Sequence, residues 1–176
     1  MRKIVTIFGS SIPVEDDEQY TNAYRLGVIL AKNDLDVCNG GNHGIMEAVS
    51  KGAVENGAKA IGITLGGYFN HHNKYLTQHI VCDTLFERIT RLINTGNAFI
   101  ALQGGTGTLL ELAAVWEFFN KEILDEKPFA CHGTIWKLII QTMEEQIAKE
   151  KRKSGLLKYF ESIEDCAEYI IMKIKD

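Results

Sequence analysis

The chain has 176 residues, of which 45% are hydrophobic and 24% are charged, and its formal net charge is −4 at pH 7. This length and composition are those of one globular domain that buries a substantial core. The negative charge argues against a general nucleic-acid binder, which carries a basic surface, so we expect no nucleic-acid partner.

Short strand-like runs alternate with longer helical patterns along most of the chain. The predicted strands are Lys3–Phe8, Leu35–Cys38, Lys59–Thr64, His79–Cys82, Asn97–Leu102 and Pro128–Cys131. The predicted helices are Asp17–Asn33, Ile45–Asn56, Thr84–Thr95, a helix that includes Leu109–Phe119, Thr134–Lys149 and Ser162–Lys173. This alternation predicts an α/β fold, a doubly wound parallel sheet with helices on both faces. No repeat or linker interrupts residues 1–176, which we interpret as a single domain.

The cysteines and the N-terminus predict a reducing compartment. Cys38, Cys82, Cys131 and Cys166 lie far apart, without a CxxC pair or a histidine at zinc-like spacing, so we expect no metal site. The residues Met1-Arg2-Lys3 lead directly into a strand, which predicts neither a signal peptide nor a membrane span. We therefore expect a cytoplasmic protein with no membrane partner.

Three glycine-containing loops follow strands and precede helices: Gly9-Ser10-Ser11, Asn39–Gly44 and Gln103–Thr108. In open parallel sheets, ligands bind at the carboxyl ends of the strands, where these loops lie. Backbone N–H groups converge at such turns, and the dipole of the following helix favours an anion. Glycines also form tight turns without any ligand. Two Gly-Gly loops at one edge, one of them with the hydroxyls of Thr106 and Thr108, favour a ligand that carries a phosphate.

These loops match neither of the two common phosphate-binding patterns. No GxxxxGK[ST] run occurs in the chain. The pattern GxGxxG also fails, because Gly105-Thr106-Gly107 is followed by Thr108-Leu109-Leu110 and the first strand by Gly9 alone. NAD binding and ATP hydrolysis by those routes are therefore disfavoured.

The segment Gln103-Gly-Gly-Thr-Gly-Thr-Leu-Leu-Glu111 resembles the P-G-G-x-G-T-x-x-E signature of the Lonely-guy (LOG) phosphoribohydrolases, which are often mislabelled lysine decarboxylases. Gly40–Met46 matches the G-G-x-x-G-[LI]-M run of that family, and Phe86-Glu87-Arg88-Ile89 matches its H-E-R-K element in part. The order of elements agrees from Ile4 to the C-terminus, so the resemblance covers nearly the whole chain. The chain departs from the family pattern where Gln103 replaces proline, Phe86 histidine and Ile89 lysine.

The resemblance implies a Rossmann-like fold that binds a nucleoside 5′-monophosphate and hydrolyses its N-glycosidic bond, as a homodimer and without a cofactor. Arg88 and Glu111 would form the catalytic pair. The nucleotide and its phosphate would lie against Gly9, Ser10, Ser11, Gly40, Gly41, Gly44, Met46, Gly104, Gly105, Thr106, Gly107 and Thr108. A related branch, which resembles the molybdenum-cofactor carrier, keeps these loops and binds its ligand without cleaving it. That alternative stays open because of the altered Phe86–Ile89 context.

The candidate residues also have simpler interpretations. Thr108 and Glu111 fit the capping-box pattern [ST]-x-x-[EQ], in which the glutamate only satisfies backbone donors. Arg88 could be an ordinary surface arginine, whereas Arg91 can pair with Glu87 across one helical turn.

Other polar and apolar residues near the loops also have two interpretations. Ser10 and Ser11 could bond their own backbone, and Met46 is more often a core residue than a ligand contact. His71 and His72 lie in a long loop that we interpret as a lid or partner surface, because adjacent histidines rarely chelate one metal together.

Overall fold

The computed structural model describes residues 2–67 and 72–175. Over these residues the strands are β1 (Lys3–Phe8), β2 (Leu35–Asn39), β3 (Ala60–Leu65), β4 (Gln78–Cys82), β5 (Ala98–Ala101), β6 (Phe129–His132) and β7 (Lys158–Phe160). The helices are α1 (Glu18–Lys32), α2 (Ile45–Glu55), α3 (Leu85–Thr95), α4 (Thr106–Asn120), α5 (Thr134–Lys149) and α6 (Ile163–Lys175). Each predicted strand and helix is present, with ends shifted by a few residues.

The strands form one parallel sheet in the order β4-β3-β2-β1-β5-β6-β7. The chain moves outward from β1 to β4, returns to β5 beside β1, and then moves outward in the other direction. The predicted doubly wound α/β fold is therefore confirmed, and its switch point lies between β1 and β5. Only β7 was absent from the sequence prediction, since its three partly exposed residues are too short to show a period.

A hydrophobic core covers each face of the sheet. One face packs against α1, α2 and α6, with Val5 and Ile7 of β1 in that core. The other face packs against α3, α4 and α5, with Phe8 of β1 in that core. The inner strands are therefore buried on both sides, as parallel strands usually are. All four cysteines are buried free thiols, as predicted for the three in or beside strands.

Two local features place the helices that surround the switch point. Helix α3 begins at an N-cap, because the Thr84 side chain accepts a hydrogen bond from Glu87 N at 3.2 Å. Helix α4 follows β5 after four loop residues, with Gly105 as its N-cap. Over the residues that are described, no helix has the length and apolarity needed to cross a membrane.

Candidate active site at the switch point

A cavity of about 370 Å³ opens at the carboxyl edge of the sheet, between the ends of β1, β2, β3 and β5. The three glycine loops meet there. The predicted residues that line the cavity are Gly9, Ser10, Ser11, Gly40, Met46, Arg88, Gly105, Thr106, Gly107, Thr108 and Glu111. Gly41, Gly44 and Gly104 do not line the cavity. The structure thus brings together residues that are spread over more than 100 positions of the sequence.

Arg88 and Glu111 form an ion pair inside this cavity. Arg88 Nη1 donates to Glu111 Oε1 at 3.0 Å, and Arg88 Nε donates to the Ile63 carbonyl oxygen at 2.9 Å. Their side chains are only 16% and 11% exposed. Two charge-assisted bonds from one planar guanidinium fix its orientation. The structure therefore brings these two predicted residues together in one cavity, and Arg88 is not an ordinary surface arginine.

Burial and Arg88 act in opposite directions on Glu111. Burial raises the pKa of the Glu111 carboxyl above its ordinary value, while the charge and the hydrogen bond of Arg88 lower it. Burial disfavours the charged form because water no longer solvates it. Glu111 therefore holds its proton more tightly than an exposed glutamate, and Arg88 is the group that favours its carboxylate.

The capping-box interpretation of Glu111 is wrong. Helix α4 begins at Thr106, with Gly105 as the N-cap, so Thr108 is the third helical residue and Glu111 lies in the second turn. Thr108 cannot cap this helix, and the Glu111 carboxylate accepts from Arg88 instead of from backbone N–H groups. The pattern [ST]-x-x-[EQ] was ambiguous because Thr106 and Thr108, two residues apart, could each start the helix. A working cap of this pattern starts α3, at Thr84 and Glu87.

Gly40 gives Arg88 the space it needs. A Cβ atom at position 40 would overlap Arg88 Nη2 and would lie 2.8 Å from Met46 Sδ. The glycine is therefore required by the close approach of the guanidinium to the backbone of the second loop. Met46 is buried and also lines the cavity, so the core and the ligand-facing interpretations both hold for it.

The first loop connects the other two. Ser10 N donates to the Gln103 carbonyl oxygen at 3.0 Å, and Ile45 N donates to the Ser10 carbonyl oxygen at 2.9 Å. Gly44 has φ +66°, and a Cβ atom there would lie 2.6 Å from Ser10 O. The Ser10 hydroxyl accepts from Ile12 N at 3.1 Å, as the local-bond interpretation predicted. The backbone of Ser10 thus fixes the three loops relative to one another.

Gly105 and Gly107 lie at the start of α4, as the N-cap and the second helical residue. Among the described residues, nothing lies within 4 Å of a Cβ atom at either position, and neither has a positive φ. A glycine inside a helix costs about 1 kcal/mol relative to alanine. The first turn of α4 also leaves N–H groups without an intrahelical partner. Both glycines are exposed and line the cavity, and a helix N-terminus of this kind favours an anion.

The histidine loop lies only partly within the described residues. His71 lies outside the described residues. The prediction of a lid or partner surface for that segment therefore also falls outside them. His72 stacks on His79, with ring centroids 4.2 Å apart. Across 2–67 and 72–175, no group of three or more histidine, cysteine, aspartate or glutamate residues could hold a metal ion. Arg91 pairs with Glu87 at 3.0 Å, as predicted.

Sequence reasoning missed part of the cavity wall. The additional lining residues are Ile12, Asn42, Thr64, Leu65 and Leu85. Asn42 lies inside the predicted loop Asn39–Gly44, and each of the others is at, or one position beyond, a predicted loop, strand end or helix start. Thr64 and Leu65 end β3, the strand beside β2, so the predicted sheet edge could have pointed to them.

The chain is similar in sequence to known proteins. The model of the SLOG cluster4 family matches residues 2–166. An uncharacterized protein of Archaeoglobus fulgidus is 34% identical over 98 residues, which are 56% of this chain and 64% of that protein. A protein of Rhodococcoides fascians named cytokinin riboside 5′-monophosphate phosphoribohydrolase is 29% identical over 119 residues, 64% of this chain and 59% of its own. The matches thus span less than two thirds of the length of these two relatives.

A solved structure shares the fold over the full chain. The molybdenum cofactor carrier protein of Chlamydomonas reinhardtii superposes with a TM-score of 0.79 at 20% identity, covering 100% of both chains. At that identity the likeness shows the fold alone. The family model and the relatives named phosphoribohydrolases confirm the resemblance that the sequence motifs indicated.

Proposed function

Because the chain belongs to the SLOG cluster4 family, we propose that it hydrolyses the N-glycosidic bond of a nucleoside 5′-monophosphate, such as AMP or a cytokinin riboside monophosphate. The products are the free base and ribose 5-phosphate. The observation that carries this proposal is the buried pair of Arg88 and Glu111, which lies in a cavity beside the open N-terminus of α4. A relative of this chain has the matching name.

The phosphate would bind at the start of α4. The N–H groups of Gly105, Thr106 and Gly107 and the hydroxyls of Thr106 and Thr108 are the donors, and the helix dipole adds to their attraction. Glu111 lies four residues beyond Gly107, roughly 6 Å along the helix axis. That rise is comparable with the span from a 5′-phosphate to the anomeric carbon of its ribose. A phosphate at the helix start therefore brings the glycosidic bond near Glu111.

Glu111 and Arg88 would then divide the chemistry. Glycoside cleavage passes through an oxocarbenium-like transition state, which a carboxylate stabilises or supplies with an activated water. The water oxygen bonds to the anomeric carbon as the bond to the base nitrogen breaks, and the base leaves with the electron pair. The base takes up one proton from solvent, and the attacking water gives one to Glu111, which releases it to solvent before the next turnover. Arg88 keeps Glu111 oriented and favours its carboxylate form.

Incubation with a panel of nucleoside 5′-monophosphates and the matching nucleosides tests the proposal. Free base and ribose 5-phosphate are followed by chromatography. Release from monophosphates and not from nucleosides supports the proposal, because only the former place a phosphate on α4. Absence of release from every member of the panel would contradict it.

Gly107→Ala separates ligand binding from folding. We expect the variant to be more stable than the wild type by about 1 kcal/mol, since alanine replaces a helical glycine in open space. We expect ribose 5-phosphate to bind about tenfold more weakly, because the new methyl group stands where the phosphate approaches. Thermal unfolding and calorimetric titration measure the two effects. Unchanged affinity would show that the phosphate does not bind at α4.

The second candidate function is a carrier of a phosphorylated cofactor, as a molybdenum cofactor carrier shares the fold. Such a carrier would use the same glycine loops, and the Arg88–Glu111 pair would only hold the cavity together. The nucleotide panel distinguishes the two, since a carrier releases no base. Tight binding of a phosphorylated pterin, unaffected by Glu111→Gln, would favour the carrier.

The cytoplasmic location stays a prediction from the sequence. We further propose that the chain forms a homodimer through α4 and α5. A groove of about 450 Å³ lies between these helices, lined by Leu109, Trp116 and Met143. Within the described part of the chain, Trp116 Nε1 and Asn120 Oδ1 are buried without a hydrogen-bond partner. Helix α4 is apolar on nearly all sides, which is typical of a helix that is covered all round.

Met143→Glu tests the dimer. We expect the variant to sediment as a monomer at concentrations where the wild type is a dimer, because a desolvated carboxylate costs several kcal/mol. The matched control is Met172→Glu, an exposed methionine on α6 at the opposite face. Equal masses for the two variants, measured by analytical ultracentrifugation, would argue against this interface.

A further inference from the structure

The cavity extends well beyond the place assigned to the phosphate and the ribose. The loop Gln103–Thr108, which we call the phosphate loop because the phosphate is assigned to it, follows β5. The cavity continues from there past the ends of β1 and β2 to the end of β3. Neighbouring strands are ~4.8 Å apart, so the end of β3 lies roughly 14 Å from that of β5. A nucleotide with its phosphate on α4 and its ribose at Glu111 would therefore place its base near the end of β3.

The walls at that end are mostly apolar. Leu65 ends β3, and Leu85, at the start of α3, is an exposed aliphatic side chain that also lines the cavity. Ile12, which follows β1, is a further exposed aliphatic side chain of the lining. Apolar walls of this kind suit the faces of a planar base. They make no hydrogen bonds, so they cannot distinguish the polar edge of one base from that of another.

Thr64 is the polar side chain at the end of β3. It lines the cavity and is buried, and its hydroxyl is hydrogen-bonded to His79 Nε2 at 2.7 Å. A hydroxyl has one donor and two acceptor positions, and this bond uses one of the three. Asn42 also lines the cavity, but it follows β2, one strand nearer to the phosphate loop, and its Oδ1 accepts from His43 N.

The tautomer of His79 sets whether the Thr64 hydroxyl donates or accepts in their shared hydrogen bond. Desolvation lowers the pKa of the His79 imidazole, and the neighbouring His72 lowers it further, so both favour the neutral ring. A neutral imidazole has one N–H and one bare nitrogen. When the bare nitrogen of His79 faces Thr64, the Thr64 hydroxyl donates to His79 and its oxygen can accept a hydrogen bond from a base. When the N–H of His79 faces Thr64, the hydroxyl oxygen accepts from His79 and its hydrogen can be donated to a base.

We propose that the Thr64 hydroxyl, oriented by His79, hydrogen-bonds the polar edge of the base and so determines which nucleobase the cavity accepts. The group that Thr64 would recognise is the amino or oxo substituent of a purine or pyrimidine base. This inference rests on the proposed function, because it takes the phosphate to lie on α4 and the ribose at Glu111. Thr64 is then a specificity-determining residue, and His79 acts through it as a positioning residue.

Binding constants in a Glu111→Gln background test the inference without turnover. The ligands are AMP and IMP, CMP and UMP, and ribose 5-phosphate, which has no base. We expect Thr64→Val to reduce the preference between the amino and the oxo member of a pair by roughly five- to tenfold, the value of one hydrogen bond. Ribose 5-phosphate should bind unchanged. Thr95→Val, a half-buried threonine at the end of α3 away from the cavity, is the matched control.

His79 variants provide the second measurement. His79→Phe should shift the amino-to-oxo preference in the same direction as Thr64→Val, while His79→Gln should retain part of it, since its amide can still bond Thr64. A merely structural role of His79 would weaken every ligand alike, including ribose 5-phosphate. An unchanged preference in Thr64→Val would overturn the inference. If the Glu111→Gln protein binds neither ribose 5-phosphate nor any monophosphate, and the wild type releases no base, the proposed function itself fails.

Discussion

Glu111→Gln is expected to lower kcat for base release by roughly a hundredfold or more, the usual cost of removing one electrostatic group from a transition state. Glutamine keeps the shape of the side chain and can still accept a hydrogen bond from Arg88, so folding is retained. It cannot take a proton from water or offset positive charge on the ribose. Ribose 5-phosphate should therefore still bind, with an affinity changed by about twofold at most.

Two comparisons make this result specific. Glu117→Gln alters an exposed glutamate on the same helix and should leave kcat unchanged. The pH profile supplies the second comparison, because burial raises the pKa of Glu111 above that of an ordinary glutamate. As the pH falls, activity should thus be lost at a higher pH than that at which an exposed glutamate titrates, since protonation removes the carboxylate. A kcat unaffected by Glu111→Gln would remove Glu111 from the mechanism and favour a carrier.

Gly40→Ala is expected to reduce kcat by roughly tenfold to a hundredfold without touching either charged residue. The new Cβ would overlap Arg88 Nη2, so the guanidinium has to move and lose its bond to Ile63 or to Glu111. A displacement of about 1 Å in a catalytic geometry can cost a hundredfold in rate. Steady-state kinetics on the best substrate of the panel measure the effect.

A double-mutant cycle shows whether Gly40 acts through Arg88. In an Arg88→Ala background the clash with the guanidinium disappears and only the close contact with the flexible Met46 side chain remains, so Gly40→Ala should cause little further loss. Gly57→Ala is the control for stability alone, because position 57 has φ +81° and lies at the end of α2 with open space around it. That variant should unfold more easily by about 1 kcal/mol and keep its kcat. Equal losses from Gly40→Ala in both backgrounds would contradict this role of the glycine.

Much of the fold follows from local patterns. Apolar strands of four to six residues alternate with helical periods, and both periods are visible in a single sequence because they depend on residues a few positions apart. The predicted edge with three glycine loops exists, since parallel strands must all end on the same side. Strand β7 and the start of α4 were not readable, because a three-residue strand shows no period and two threonines could each begin the helix.

The sequence by itself determined the α/β class, the sheet edge that holds the cavity and the residues that could meet a phosphate. It could not decide what Glu111 does, because the capping and catalytic interpretations use the same four-residue pattern. Tertiary structure excluded the capping interpretation by placing Arg88, from a different helix 23 residues away, against the Glu111 carboxylate, and the catalytic role is the proposal made above. The reasons for Gly40 and for Thr64 also lie in contacts between distant segments, with Arg88 and His79. Such contacts depend on how helices and strands pack, and no local period of the sequence encodes them.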